Sequence, residues 1–155
     1  MLRLTAALAV AAIALAGCAS GTEHRSAGGI LSIDVPAQSG DGAATAKQSF
    51  RGSMTVGERF EVRLGASAGT GYAWTLAGPV PANMQLTSSD PAGAVRPAEG
   101  ADGRPGGPTW TIFGMNATAQ GTASFRFVLA RPWESDGRVP PARQVDLTIE
   151  VAPRK

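Results

Sequence analysis

One cysteine, one histidine and two lysines occur in 155 residues, and each shortage closes off a class of chemistry. A lone cysteine, Cys18, permits no disulfide within the chain, so an exported domain built here must be held by its core alone. The lone histidine, His24, lies in a small, polar N-terminal stretch, where it reads as a solvated linker residue. No Ser-His or Cys-His pair is therefore expected. A hydroxyl nucleophile served by lysine would have only Lys47 and Lys155, and neither lies in such a motif. Metal ligands are short as well: there is no His-x-His, no cysteine pair and no tight carboxylate cluster. Paired carboxylates of the glycosidase kind stay open among 12 acidic residues, but nothing selects a pair. We expect no catalytic residue, no metal and no cofactor.

Charge of one sign is also missing. The formal net charge is +2, and about +1 without the basic Arg3 of the leader. The basic residues are scattered and form no stripe, which argues against a nucleic-acid partner. The glycines of Gly103-Arg-Pro-Gly-Gly neither follow a strand nor open a helix, so they make a poor phosphate cradle.

What is present begins with a leader. MLRLTAALAVAAIALAGCAS has one basic residue, a short apolar run and small residues before Cys18. Such a run is a signal-peptide core, too short to span a bilayer. Leu15-Ala-Gly-Cys18 resembles a bacterial lipobox, whose cysteine becomes the acylated first residue. Ser20 resembles the sorting pattern for the outer membrane. The expectation is a signal peptide over 1–17, a lipidated flexible tether over 18–29 and one domain over 30–155. Membrane attachment would run through lipid on Cys18, in the bacterial cell envelope, at the outer membrane facing the periplasm.

The domain alternates. ILSIDV (30–35), SFRGSMTV (49–56), RFEVRL (59–64), YAWTLAG (72–78), MQLTSS (84–89), TWTIFGM (109–115), TASFRFVLA (122–130) and QVDLTIEV (144–151) read as strands. In RFEVRL, Phe60, Val62 and Leu64 share one face and the charged residues the other. Residues 90–108 are rich in Pro, Gly, Ala and Asp and read as a long loop. Outside the leader no useful helix period appears. Seven or eight short strands with turn residues between them predict an all-β sandwich or barrel. Trp74 is expected in the core, while Tyr72 and Phe127 fit either core or rim.

Three strand ends carry unusual residues. SAGTGYAW (67–74) follows one strand, GRPGGPTW (103–110) precedes another, and Arg131-Pro132-Trp133 ends a third. Proline fixes its own φ and restricts the residue before it, so Trp133 is held rather than left to fold back. On the residues alone, Trp133 either caps the core, with Arg131 paired to an acid, or stands out as a binding anchor.

The ordered set resembles the three motif loops of the chagasin family, exported inhibitors of papain-like cysteine proteases. The first motif of that family runs Asn-Pro-Thr-Thr-Gly, aromatic, variable residue, Trp. Here Thr70, Gly71, Tyr72 and Trp74 match, while Ser67, Ala68 and Gly69 depart. Gly106 and Gly107 match a glycine-rich second motif loosely, and Arg131, Pro132 and Trp133 match the third fully. The resemblance implies an immunoglobulin-like β-sandwich acting as a monomer on a papain-like cysteine protease, with its three loops in the active-site cleft. It implies that Thr70 and Gly71 approach the catalytic pair, that Gly106 and Gly107 run close to the protease, and that Trp133 packs on a flank. Ser67, Gly69 and Tyr72 complete the implied contact set. Loss of the motif proline at Ala68 and a glycine at position 69 predict a looser first loop and weaker or more selective inhibition. The competing reading is a structural or adaptor envelope lipoprotein that binds another protein.

Overall fold

The computed structural model describes residues 22–25 (backbone only), 30–37, 46–87, 92–99, 101, 105–134 and 139–154. The leader, Cys18 and Ser20 lie outside the described residues. Among the described residues, ten strands run in chain order: β1 (Thr22–Arg25), β2 (Leu31–Val35), β3 (Ala46–Thr55), β4 (Arg59–Ser67), β5 (Ala73–Leu76), β6 (Met84–Leu86), β7 (Ala94–Pro97), β8 (Pro108–Ala117), β9 (Gly121–Ala130) and β10 (Arg143–Ala152).

They form two sheets. One has the order β1-β2-β4-β8-β6, with β7 also paired to β8; the other has the order β3-β10-β9-β5. Most neighbours are antiparallel, but β2 runs parallel to β4 and β3 parallel to β10. The alternation in RFEVRL does what its period requires: Phe60, Val62 and Leu64 are buried and face the other sheet. Phe60 meets Phe125 at 6.0 Å between ring centroids, and Phe113 meets Phe127 at 4.9 Å, so aromatic pairs bridge the two layers. Phe127 is thus a core residue rather than a rim one. The result is a β-sandwich of the immunoglobulin-like kind.

Four expectations change. Thr22–Arg25, read as part of a flexible tether, pair antiparallel with β2 as an added edge strand. Backbone pairing to an open sheet edge needs no apolar side chains, which is why composition missed it. Within the predicted long loop, Ala94–Pro97 form β7 against β8. Strand β4 runs on to Ser67, because Gly65, Ala66 and Ser67 stay in register with Trp110, Thr109 and Pro108. Arg143, read as loop, opens β10 and is 2% exposed. Its guanidinium donates to the Pro36 carbonyl at 3.1 Å and to Gln48 Oε1 at 3.2 Å, and lies 5.5 Å from the Trp74 ring.

That last cluster sits under one end of the sandwich. Trp74 is 1% exposed, and its indole N–H donates to the Gly65 carbonyl at 3.0 Å. A side chain at Gly65 would collide with the backbone of Pro36 and Ala37, which crosses directly over it. Glycine therefore lets Pro36 and Ala37, directly after β2, pack against β4, and Trp74 pins β5 to the same point. The roots of the following loops are fixed from below.

Candidate functional site

The first loop leaves β4 at Ser67 and enters β5 at Ala73. Ser67 stands opposite Pro108, the first residue of β8. One residue on, the Ala68 N–H donates to the Gly107 carbonyl at 3.0 Å. The Thr109 hydroxyl donates to the Ala66 carbonyl at 3.3 Å. The β4–β8 ladder therefore continues beyond the strand ends and joins the first loop to the second. Gly69 (φ 81°), Gly71 (φ 77°) and Gly106 (φ 79°) are all in the left-handed region that glycine enters at little cost. An ideal Cβ on Gly69 would lie 3.7 Å from Gly106 Cα, so the two turns are neighbours with room for about one methyl group between them. The Thr70 hydroxyl donates to the Ser67 carbonyl at 2.8 Å and closes the first turn on itself. The first loop, expected to be loose at Ala68 and Gly69, carries both the Ala68–Gly107 and the Thr70–Ser67 hydrogen bonds.

The third loop leaves β9 at Ala130, opposite Ala73. Arg131 follows at once and reaches the first loop. Its Nε donates to the Thr70 carbonyl at 3.4 Å, and its guanidinium lies 4.6 Å from the Tyr72 ring centroid. Its Nη1 pairs with Glu134 at 3.2 Å. Pro132–Glu134 make a single 3-10 turn, closed by the Glu134 N–H on the Arg131 carbonyl at 2.9 Å. Trp133 is 69% exposed. Its exposed ring nonetheless rests on Gly71: a Cβ there would overlap the indole, with Cζ2 only 3.0 Å away. Of the two readings left open by sequence, Trp133 takes the outward one, while Arg131 does pair with an acid. Beside this turn an open groove of about 460 Å³ adjoins Arg131 and Pro132 and carries Val139, which is 50% exposed.

The three loops that carry the ten predicted residues are thus neighbours, joined by Ala68–Gly107, Thr70–Arg131, Tyr72–Arg131 and Gly71–Trp133. Gly69, Thr70, Gly71, Gly106, Pro132 and Trp133 are exposed at the surface of the loop end. Ser67, Tyr72, Gly107 and Arg131 are half-buried and support them. Tyr72 packs against the core and serves as the platform for Arg131. Beyond the ten predicted positions the structure gives parts to Gly65 and Arg143, which sequence reasoning did not single out, and shows the roles of Glu134 as the partner of Arg131 and of the Ala68 N–H. Gly65 carried a signal, a small residue directly after a strictly alternating strand; Ala68 carried none, because its part is played by its backbone. Among the described residues, no group of three or more His, Cys, Asp or Glu is placed to hold a metal. The end is a largely backbone surface, cross-linked by hydrogen bonds, that carries one large exposed aromatic, Trp133.

Comparison with known proteins agrees with this fold. Residues 53–149 match the profile of the Chagasin family peptidase inhibitor I42. No curated protein matches the chain. Among solved structures, the cysteine protease inhibitor EhICP2 from Entamoeba histolytica is similar, with a TM-score of 0.52 and 18% identity over 72% of this chain and 100% of that one. PbICP-C, solved in complex with falcipain-2, is similar with a TM-score of 0.51 and 18% identity over 79% of this chain and 98% of that one. At such identities the likeness is one of fold.

Proposed function

The chain belongs to the chagasin family of peptidase inhibitors, and we propose that it inhibits papain-like cysteine proteases by occluding the active-site cleft with its three loops. The observation that carries this reading is the meeting of the three motif loops at one end, with Trp133 exposed and seated on Gly71. Thr70 and Gly71 form a narrow tip, small enough to enter a cleft between two catalytic groups. Gly106 and Gly107 let the second loop lie close to the partner's surface. Trp133, held by Pro132, supplies the large apolar anchor on the flank. A wedge of turns offers no extended segment with a well-placed scissile bond, so the inhibitor is not consumed.

Rigidity is the energetic basis. Loops on a sandwich that are already cross-linked lose little freedom on binding, so more of the contact energy appears as affinity. A contact of roughly 800 Å² on each partner is the usual size for such complexes. The solved complex of PbICP-C with falcipain-2 supports a papain-like partner class. The same reading puts the domain on a lipid tether at Cys18 in the bacterial envelope, a step checked by loss of acylation in Cys18→Ala. The function is tested by titrating the purified protein into papain. Stoichiometric loss of activity with an uncut inhibitor is expected; full activity at a large excess would refute it.

A further inference from the structure

We propose that Ala68 and Gly69, where the first loop departs from the motif it otherwise matches, are positioning residues that zip this loop onto the second. Loop stiffness here is borrowed from a neighbour instead of built in by a proline ring.

The geometry is specific. The Ala68 N–H donates to the Gly107 carbonyl at 3.0 Å, one step beyond the Ser67–Pro108 pair that ends the β4–β8 ladder. Proline at position 68 has no N–H to give. Its Cδ would extend about 1.5 Å from the nitrogen toward that carbonyl, well inside contact distance. Ser67 is extended, as a residue before proline prefers, so the obstacle lies at the nitrogen alone. The motif's proline and this hydrogen bond are therefore mutually exclusive.

Position 69 repeats the logic by another route. Gly69 has φ 81°, and a Cβ there would find Gly106 Cα at an ordinary 3.7 Å. Space is available, but the backbone angle is one a β-branched residue strongly resists. The motif's threonine would pull this residue out of the left-handed region and lift the turn from Gly106. The two departures thus belong together: one supplies the bond to the second loop, and the other lets the turn lie against it. The first and second loops then form one body, with Thr70 and Gly71 at its edge.

The inhibition arm of the test rests on the proposed function; a second arm does not. In the first arm, Ala68→Pro and Gly69→Thr are compared with the wild type as inhibitors of papain. The zipper predicts that restoring either motif residue weakens inhibition about tenfold or more. Equal or tighter inhibition by Ala68→Pro would overturn it. In the second arm, amide hydrogen exchange is read by NMR on the free protein, without protease. The Ala68 amide is expected to be protected far above a free loop, and Gly69→Thr is expected to lose that protection with the core strands unchanged. Free-loop exchange at Ala68 in the wild type would overturn the zipper even if inhibition is normal. Should the wild type fail to inhibit papain, the functional reading falls and the exchange arm still decides the zipper.

Discussion

The first and third loops sit side by side but are held in different ways. The first is held to the second by main chain: the Ala68 N–H donates to the Gly107 carbonyl, and the Gly69 and Gly106 turns lie side by side. The third is held by side chains: Arg131 reaches the Thr70 carbonyl, the Tyr72 ring and Glu134 together, and the Trp133 ring rests on Gly71. Backbone attachment tolerates most side-chain changes and fails when an N–H or a φ angle is lost. Side-chain attachment fails on a single truncation. The first arrangement suits a tip that must stay thin; the second suits a tip that must carry a large ring.

The contrast can be broken in graded steps. Trp133→Ala removes the anchor itself and should cost the largest factor, about 100-fold in inhibition constant against papain, with an unchanged melting temperature. Gly71→Val comes next, at about 30-fold, because its side chain occupies the place of the indole and its φ is unfavourable. Kinetics of papain inhibition check it, and tryptophan fluorescence should report the displaced ring. Arg131→Ala should release the third loop from the first and cost about tenfold. Because the Arg131 contacts are planar and forked, Arg131→Lys should recover only part of that loss. Thr109→Val removes one side-chain bond at 3.3 Å from a ladder otherwise made of backbone, and should change inhibition less than about threefold.

The smallest effect lies away from the loops, on the outer face of the second sheet. Partial burial there pulls the Asp146 pKa upward, but hydrogen bonds from Arg126 and Gln144, both 2.7 Å, outweigh it. The carboxyl is held below its usual range. A lowered folded-state value means stability that is present above the unfolded pKa and lost as the pH falls through the folded one. Melting temperatures of the wild type and Asp146→Asn should therefore differ slightly at neutral pH and converge below about pH 4. Inhibition should be unaffected throughout.

Side chains and backbone also differ in how far the sequence reveals them. Phe60, Val62, Leu64, Phe125 and Val145 were legible because a buried sheet face imposes a period of two, and the two-sheet class followed from that. The ten candidate positions came from the resemblance of three strand-end motifs, and the adjacency of those strand ends was legible because each motif borders a strand of the alternating pattern. Strands β1 and β7 were not legible: they are added to sheet edges by main-chain pairing, and neither Thr22–Arg25 nor Ala94–Pro97 shows an apolar alternation in the sequence. Ala68 was hidden for the same reason. Arg143 was hidden by charge, since a guanidinium reads as surface until three partners are found around it: Pro36, Gln48 and Trp74.

The central claim is that the three tips meet the protease together. Hydrogen exchange of the papain-bound protein, compared with the free one, tests it most directly. The account predicts new protection at residues 68–72, 105–107 and 131–134 at once, with the outer sheet faces unchanged. Protection confined to a sheet face or to an edge strand, with the tips exchanging as in the free protein, would contradict it.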